Sequence, residues 1–135
     1  MNVLQKDSAP RYERDHIVSY LLASALTCRA EHLTITLVEM EPGGVQHIHS
    51  HAPEQMYYIL EGSGLMTVNS EQRPVEAGDC IFFSAFDLHG LQNTGETPLR
   101  YLSAASPSFS AEECRQLWPL PSLAEERKGQ AAGPL

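Results

Sequence analysis

Three histidines stand at alternate positions of the chain, His47, His49 and His51, and a fourth, His89, lies further along. Residues two apart in an extended chain point the same way, so the three should share one face. If Ala52-Pro53-Glu54 only bends the chain, Gln55 and Tyr57 follow on that face. Neutral imidazole is the commonest protein ligand for Zn, Ni, Cu and Fe. Two imidazoles from positions i and i+2 can take adjacent positions on one ion. Taken alone, a His-x-His step fits a solvated run of histidines along a strand edge equally well.

The elements that would position these residues are short and extended. His32–Met40 alternates, with Leu33, Ile35 and Leu37 on one face and Thr34 and Thr36 on the other, a half-buried strand. Pro42-Gly43-Gly44 makes a turn. Extended pieces follow at Val45–His51, Gln55–Leu60, Leu65–Val68, Cys80–Phe83, His89–Asn93 and Leu99–Ala105. They are separated by Gly62-Ser63-Gly64, by a hairpin loop at Asn69-Ser70-Glu71-Gln72, and by Gly78-Asp79 and Thr94-Gly95. Strands of this length with turns every 8–12 residues or so predict a β-sandwich or barrel. Residues 1–16 read as an irregular arm, and Ile17–Leu26 fits a strand or a short helix. Ser110 and Glu113 form a capping box that opens a helix over Glu112–Trp118, stopped by Pro119 and Pro121. Residues 122–135 read as a frayed tail. The organisation is thus an arm at 1–30, a barrel at 31–106, and a short helix with a tail at 107–135.

The chain has 135 residues, enough for one domain. Lys plus Arg is 9 against Asp plus Glu 17, a net charge of −8. Nucleic-acid binding needs clustered positive charge to displace counterions from phosphates. The balance therefore argues against nucleic-acid and anionic-membrane partners, and no apolar run reaches the roughly 18–20 residues of a membrane span. Ala23-Ser24-Ala25 resembles a signal-peptide cleavage step, but Asp7, Glu13 and Asp15 cancel the preceding basic residues. Cys28, Cys80 and Cys114 are far apart and odd in number, which suits reduced thiols in a cytoplasmic protein.

The histidines and their surroundings resemble the cupin family. Its first motif is G-x5-H-x-H-x3-E-x6-G. Gly43, His49, His51, Gln55 and Gly62 fall on every spacing, with Gln55 in the place of Glu. Its second motif is G-x5-P-x-G-x2-H-x3-N. Gly78, His89 and Asn93 match it, with Ser84 for Pro and Phe86 for Gly. The resemblance spans residues 33–105. It implies an all-β double-stranded β-helix, the jelly-roll barrel, with a short C-terminal helix added here. It implies one divalent transition metal (Zn, Ni, Fe, Mn or Cu) held by His49, His51, Gln55 and His89. It also implies a homodimer, with the arm packing or swapping across the interface.

His47 lies outside the motif. By parity it faces the same cavity as a pocket-lining group or a further ligand. Losing Glu to Gln55 fits either of two outcomes, a barrel without metal or a site whose amide oxygen still coordinates. In the second case three imidazoles and an amide leave the divalent charge uncancelled, which makes the ion a stronger Lewis acid and favours anionic substrates. Proton transfer would then fall to groups outside the ligand set, Tyr57 and His47, although Tyr57 suits a core aromatic as well. Ser84 and Phe86 are expected to loosen the turn before His89, with Phe86 packed over the cavity entrance. Asn93 suits a structural role, and Phe82, Phe83 and Met66 suit the core. The reading is a metal-dependent enzyme of isomerase or lyase type on a small polar or anionic, sugar-acid-like molecule. A metal-dependent dioxygenase and a non-catalytic small-molecule-binding protein stand as the alternatives.

Overall fold

The computed structural model describes residues 1–118; the tail expected over 122–135 lies outside them. Nine strands build two antiparallel sheets: β1 Arg11–Arg14, β2 Ile17–Leu21, β3 Thr34–Met40, β4 Glu54–Glu61, β5 Ser63–Val68, β6 Glu71–Glu76, β7 Cys80–Phe83, β8 His89–Gln92 and β9 Leu99–Ser106. The larger sheet runs β1-β2-β3-β9-β4-β7 and the smaller β6-β5-β8. The arm is therefore more regular than its composition predicts. β1 and β2 form a hairpin that extends the larger sheet from β3. Ile17–Leu26 resolves into β2 followed by the short helix α1 (Ala25–Cys28), which Ser24 caps by accepting from the Thr27 amide.

Strand alternation builds the core. Along β9, Leu99, Tyr101, Ser103 and Ala105 are buried while the residues between them are half-exposed. Ile17, Val38, Met40, Tyr57, Ile59, Phe83, Leu99 and Tyr101 from the larger sheet meet Met66, Val75 and Leu91 from the smaller. β3 departs from the simplest reading of its pattern. Its threonines, Thr34 and Thr36, face inward with Val38 and Met40, and Leu33 is exposed. The inward threonine is supported because Thr34 Oγ1 accepts from the amide of Phe109 at 2.9 Å. Phe82, expected in the core, points out of β7 and is 60% exposed, whereas Phe83 and Met66 are buried.

The motif glycine Gly62 has a physical reason. Its φ is +86°, and a Cβ there would lie 2.4 Å from the carbonyl oxygen of Pro98. Only glycine combines that backbone with that approach.

The C-terminal helix α2 spans Ala111–Leu117 and carries the capping box read from Ser110 and Glu113. It closes a second apolar cluster of Leu21, Ala105, Phe109, Cys114 and Trp118 over the end of the larger sheet. Trp118 is fully buried, and its Nε1 donates to Ser19 Oγ at 3.0 Å. Removing a fully buried indole costs roughly 3–5 kcal/mol. Trp118→Ala is expected to lower unfolding stability by about that amount, read from urea denaturation followed by far-UV circular dichroism. A loss below about 1 kcal/mol, the ordinary cost of a surface change, would show that α2 is not part of the cooperative core.

Candidate metal centre

The two motifs meet through the backbone. His49 and His89 form a reciprocal antiparallel pair, with His49 N–H donating to His89 O at 3.0 Å and His89 N–H to His49 O at 2.9 Å. Val45 bridges Gln92 through the bonds that flank it, Gln46 N–H to Leu91 O at 2.8 Å and Asn93 N–H to Gly44 O at 2.9 Å. Residues 45–49 thus flank β8 as an interrupted extended segment rather than the continuous strand predicted from sequence. Gly90 permits the approach, because a Cβ there would lie 2.8 Å from Gln46 O.

The interruption changes which side chains face inward. Gln46 is 3% exposed, His47 is exposed, and His49 is half-buried. Strict alternation through 47, 49 and 51 therefore fails at its first step, and His47 does not join the cluster. Its carbonyl still matters, because it accepts from His49 Nδ1 at 2.7 Å. His89 repeats the device, with Nδ1 donating to Asp87 O at 2.9 Å. A carbonyl can only accept, so both rings carry their proton on Nδ1 and keep Nε2 as the basic nitrogen.

His49, His51 and His89 converge, with one ligand nitrogen from each lying within 4.8 Å of the others. Ring centroids of His49 and His89 are 4.3 Å apart and those of His49 and His51 4.7 Å. Phe83 stacks on His89 at 4.0 Å, and the edge of Phe109 meets His51 at 5.4 Å. Burial, with His49 beside it, pushes the His89 imidazole down to about 4, so it is neutral across the physiological range, as a metal ligand must be.

Gln55 points inward from β4. Its register partner is Phe83, the ring stacked on His89. The Oε1 of Gln55 and the Nε2 of His89 are buried without a hydrogen-bond partner among the described residues. Buried polar atoms are rarely left so. An unpaired Nε2 within the converging imidazoles, and an unpaired amide oxygen on the residue paired with the ring that stacks on His89, fit a bound transition ion with nitrogen and neutral oxygen as its donors.

Tyr57 lies in the core, with its ring 6.0 Å from His89. Its hydroxyl donates to Gln46 Oε1 at 3.2 Å, and Gln46 Nε2 donates to Tyr101 Oη at 2.9 Å. Burial raises both phenols above their ordinary value, so Tyr57 holds its proton. Sequence reasoning missed Gln46, which ties the histidine-bearing segment to β4 and β9. The signal available was an amide one residue from a His-x-His step, uninformative until the break in alternation is known.

The turn before His89 is tight despite the loss of Pro and Gly. Asp87 accepts from the Ser84 amide at 2.8 Å and from Asn69 Nδ2 at 3.1 Å, and Phe86 N–H donates to His51 O at 2.8 Å. The Asp87 carboxyl does part of what the motif's Pro does elsewhere. Phe86 keeps the left-handed backbone of the glycine it replaces, with φ +65°, and is 69% exposed. Asn93 is structural, donating to Met40 O and Thr97 O.

A two-sheet jelly roll with a histidine cluster at one end, fed by the starts of β4 and β8 and the end of β7, is a double-stranded β-helix protein. Residues 36–105 match the cupin domain family, and the chain belongs to that family. It is 36% identical over 67 residues to an oxalate-binding protein of Thermotoga maritima, covering 49% of this chain and 55% of that protein. It is 32% identical over 84 residues to the dimethylsulfoniopropionate lyase DddW of Ruegeria pomeroyi, covering 62% of this chain and 55% of that one. The chain spans about half the length of the curated relatives it matches. Among solved structures, a Thermotoga maritima protein described as a predicted oxalate decarboxylase superposes with a TM-score of 0.70 at 23% identity, over 78% of this chain and 99% of that one.

The break in alternation is testable. Gln46→Leu strips a buried tyrosine pair of its amide and is expected to cost about 1–3 kcal/mol. His47→Ala should stay within about 0.5 kcal/mol of the parent, as exposed positions do. Urea denaturation of both variants checks this, and a reversed order would restore His47 to the interior.

Proposed function

We propose that the chain is a metal-dependent enzyme that works by Lewis-acid chemistry, of isomerase or lyase type, on a small polar or anionic molecule. The observation that carries this is the donor set. Three imidazoles converge, the buried amide oxygen of Gln55 lacks a partner, and among the described residues the cluster contains no carboxylate. A divalent ion in such a site would keep its full charge and polarise a bound carbonyl or carboxylate oxygen. His49, His51, His89 and Gln55 are the residues that would hold it. His49 and His89 present Nε2 because the carbonyls of His47 and Asp87 hold Nδ1. Phe83 and Phe109 wall the cluster with apolar rings, which strengthens electrostatic interactions inside by excluding water. Tyr57, with its raised phenol, is suited to donate a hydrogen bond rather than to act as a base.

Two relatives support the substrate class. One is named for binding oxalate, a small dianion, and the other as a lyase acting on a charged sulfonium carboxylate. The oxalate-binding relative also favours a second reading, a binding protein without turnover. The resemblance to cupins adds a homodimer to this proposal. Phe82 and Tyr58 project from β7 and β4 at 60% and 40% exposure, an apolar face on the outside of the larger sheet. Three free cysteines, with Cys80 exposed, suit a reducing cytoplasm. No helix among the described residues is long and apolar enough to cross a membrane.

Protein purified without an affinity tag is expected to carry a stoichiometric transition metal by elemental analysis, and His49→Ala/His89→Ala to carry none. Metal-free parent protein, with the double variant equally stable, would overturn the reading. Turnover of small carboxylates and sugar acids by the loaded protein then separates the enzyme from the binding protein. Sedimentation should show a dimer that Phe82→Asp converts to monomer, and a monomeric parent would remove the homodimer.

A further inference from the structure

An amide ligand has two unlike ends. The oxygen of Gln55 can bind a cation, while its NH2 carries partial positive charge and cannot. The Glu of the family motif meets no such problem, because its two carboxylate oxygens are equivalent. Replacing Glu by Gln55 therefore creates a requirement, since something must hold the amide the right way round.

The neighbouring strand supplies it. Gln55 Nε2 donates to Ser103 Oγ at 3.3 Å. Ser103 faces inward from β9 and is 3% exposed, as is Gln55. The Cα partner of Gln55 on β9 is Ala105, which has no polar side chain to offer, and Ser103 lies one inward position away on the same face. With Nε2 committed to Ser103, Oε1 at the other end of the amide is buried and without a hydrogen-bond partner among the described residues.

We infer that Ser103 is a positioning residue, which fixes the amide of Gln55 so that its oxygen, not its NH2, is presented to the histidine cluster. The inference rests on the proposed metal centre. A hydroxyl suits the task because its lone pairs accept from the amide without adding charge. An aspartate at this place would return the negative charge that Gln55 removes, and an alanine would leave a buried NH2 unpaired and the amide free to flip.

A double-mutant cycle on Co²⁺ affinity tests this, with the visible absorption of Co²⁺ as readout. Outer groups that orient metal ligands are commonly worth about 10–100-fold in affinity. Ser103→Ala is expected to weaken Co²⁺ binding by about ten-fold or more and to alter the spectrum, while Ser103→Thr, which keeps the hydroxyl, restores both. In a Gln55→Glu background the same Ser103→Ala change should shift affinity by no more than about three-fold, because a carboxylate has no wrong end. Thermal melts of the metal-free variants report folding separately, and Ser103→Gly carries the same comparison if the alanine variant does not fold. An equal loss in both backgrounds, or no loss in the Gln55 background, would overturn the role of Ser103 and leave the metal centre standing. A parent protein that binds no Co²⁺ would overturn both.

Discussion

The structure depends on one backbone contact, the reciprocal hydrogen-bonded pair of His49 and His89. Forty positions separate these residues, and each belongs to a different motif. Two backbone hydrogen bonds bring the motifs together, and a carbonyl two residues earlier then orients each ring. Both the translation and the rotation of the imidazoles are thus set by main chain, which moves less than side chain. Everything else near the cluster serves this contact. Gly90 allows the approach, Gln46 ties the segment to the opposite sheet, and Asp87 shapes the turn that delivers His89.

A buried cluster of imidazoles is costly unless each ring is neutral and its nitrogens are satisfied. At His89 the fold meets the first condition by burial, which holds that ring well below its ordinary value. It meets the second in part, by giving Nδ1 of His49 and of His89 to backbone carbonyls. The remaining nitrogens and the amide oxygen of Gln55 are the donors of the proposed centre, and their neutral charge would distinguish it from a histidine–carboxylate site. The chain's large negative charge therefore says nothing about this interior. Among the described residues most acidic side chains lie elsewhere, as in the Glu39–Arg100–Glu61 group on the larger sheet, and Asp87 sits in the turn before His89.

Much of the barrel was legible because alternation and turn residues report directly on a half-buried strand. β4, β7, β8 and β9 lie within a residue or two of the spans read from sequence, and the capping box of α2 is where Ser110 and Glu113 place it. The spacing of both motifs brought His49, His51 and His89 together, with Gln55 facing inward at the start of β4. What alternation could not report was its own interruption. Between Gln46 and His49 the chain takes an extra step, and so His47 turns outward and an unremarked glutamine turns in. β1 was illegible for a different reason, since a charged four-residue strand at a sheet edge carries no apolar period. The turn at Ser84–Asp87 was misjudged because a carboxylate and a strained phenylalanine replace what Pro and Gly usually supply.

The strand order carries a consequence for how the molecule comes into being. β3 and β4 are neighbours of β9 and not of each other. Until β9 arrives, the larger sheet consists of two pieces, β1-β2-β3 and β4-β7, that share no hydrogen-bonded strand pair among the described residues. Pairing across such sequence distances is entropically slow. His49, His51, Gln55 and His89 all precede β9, so the residues of the centre are synthesised early, but Gln55 meets Ser103 only when β9 pairs with β4.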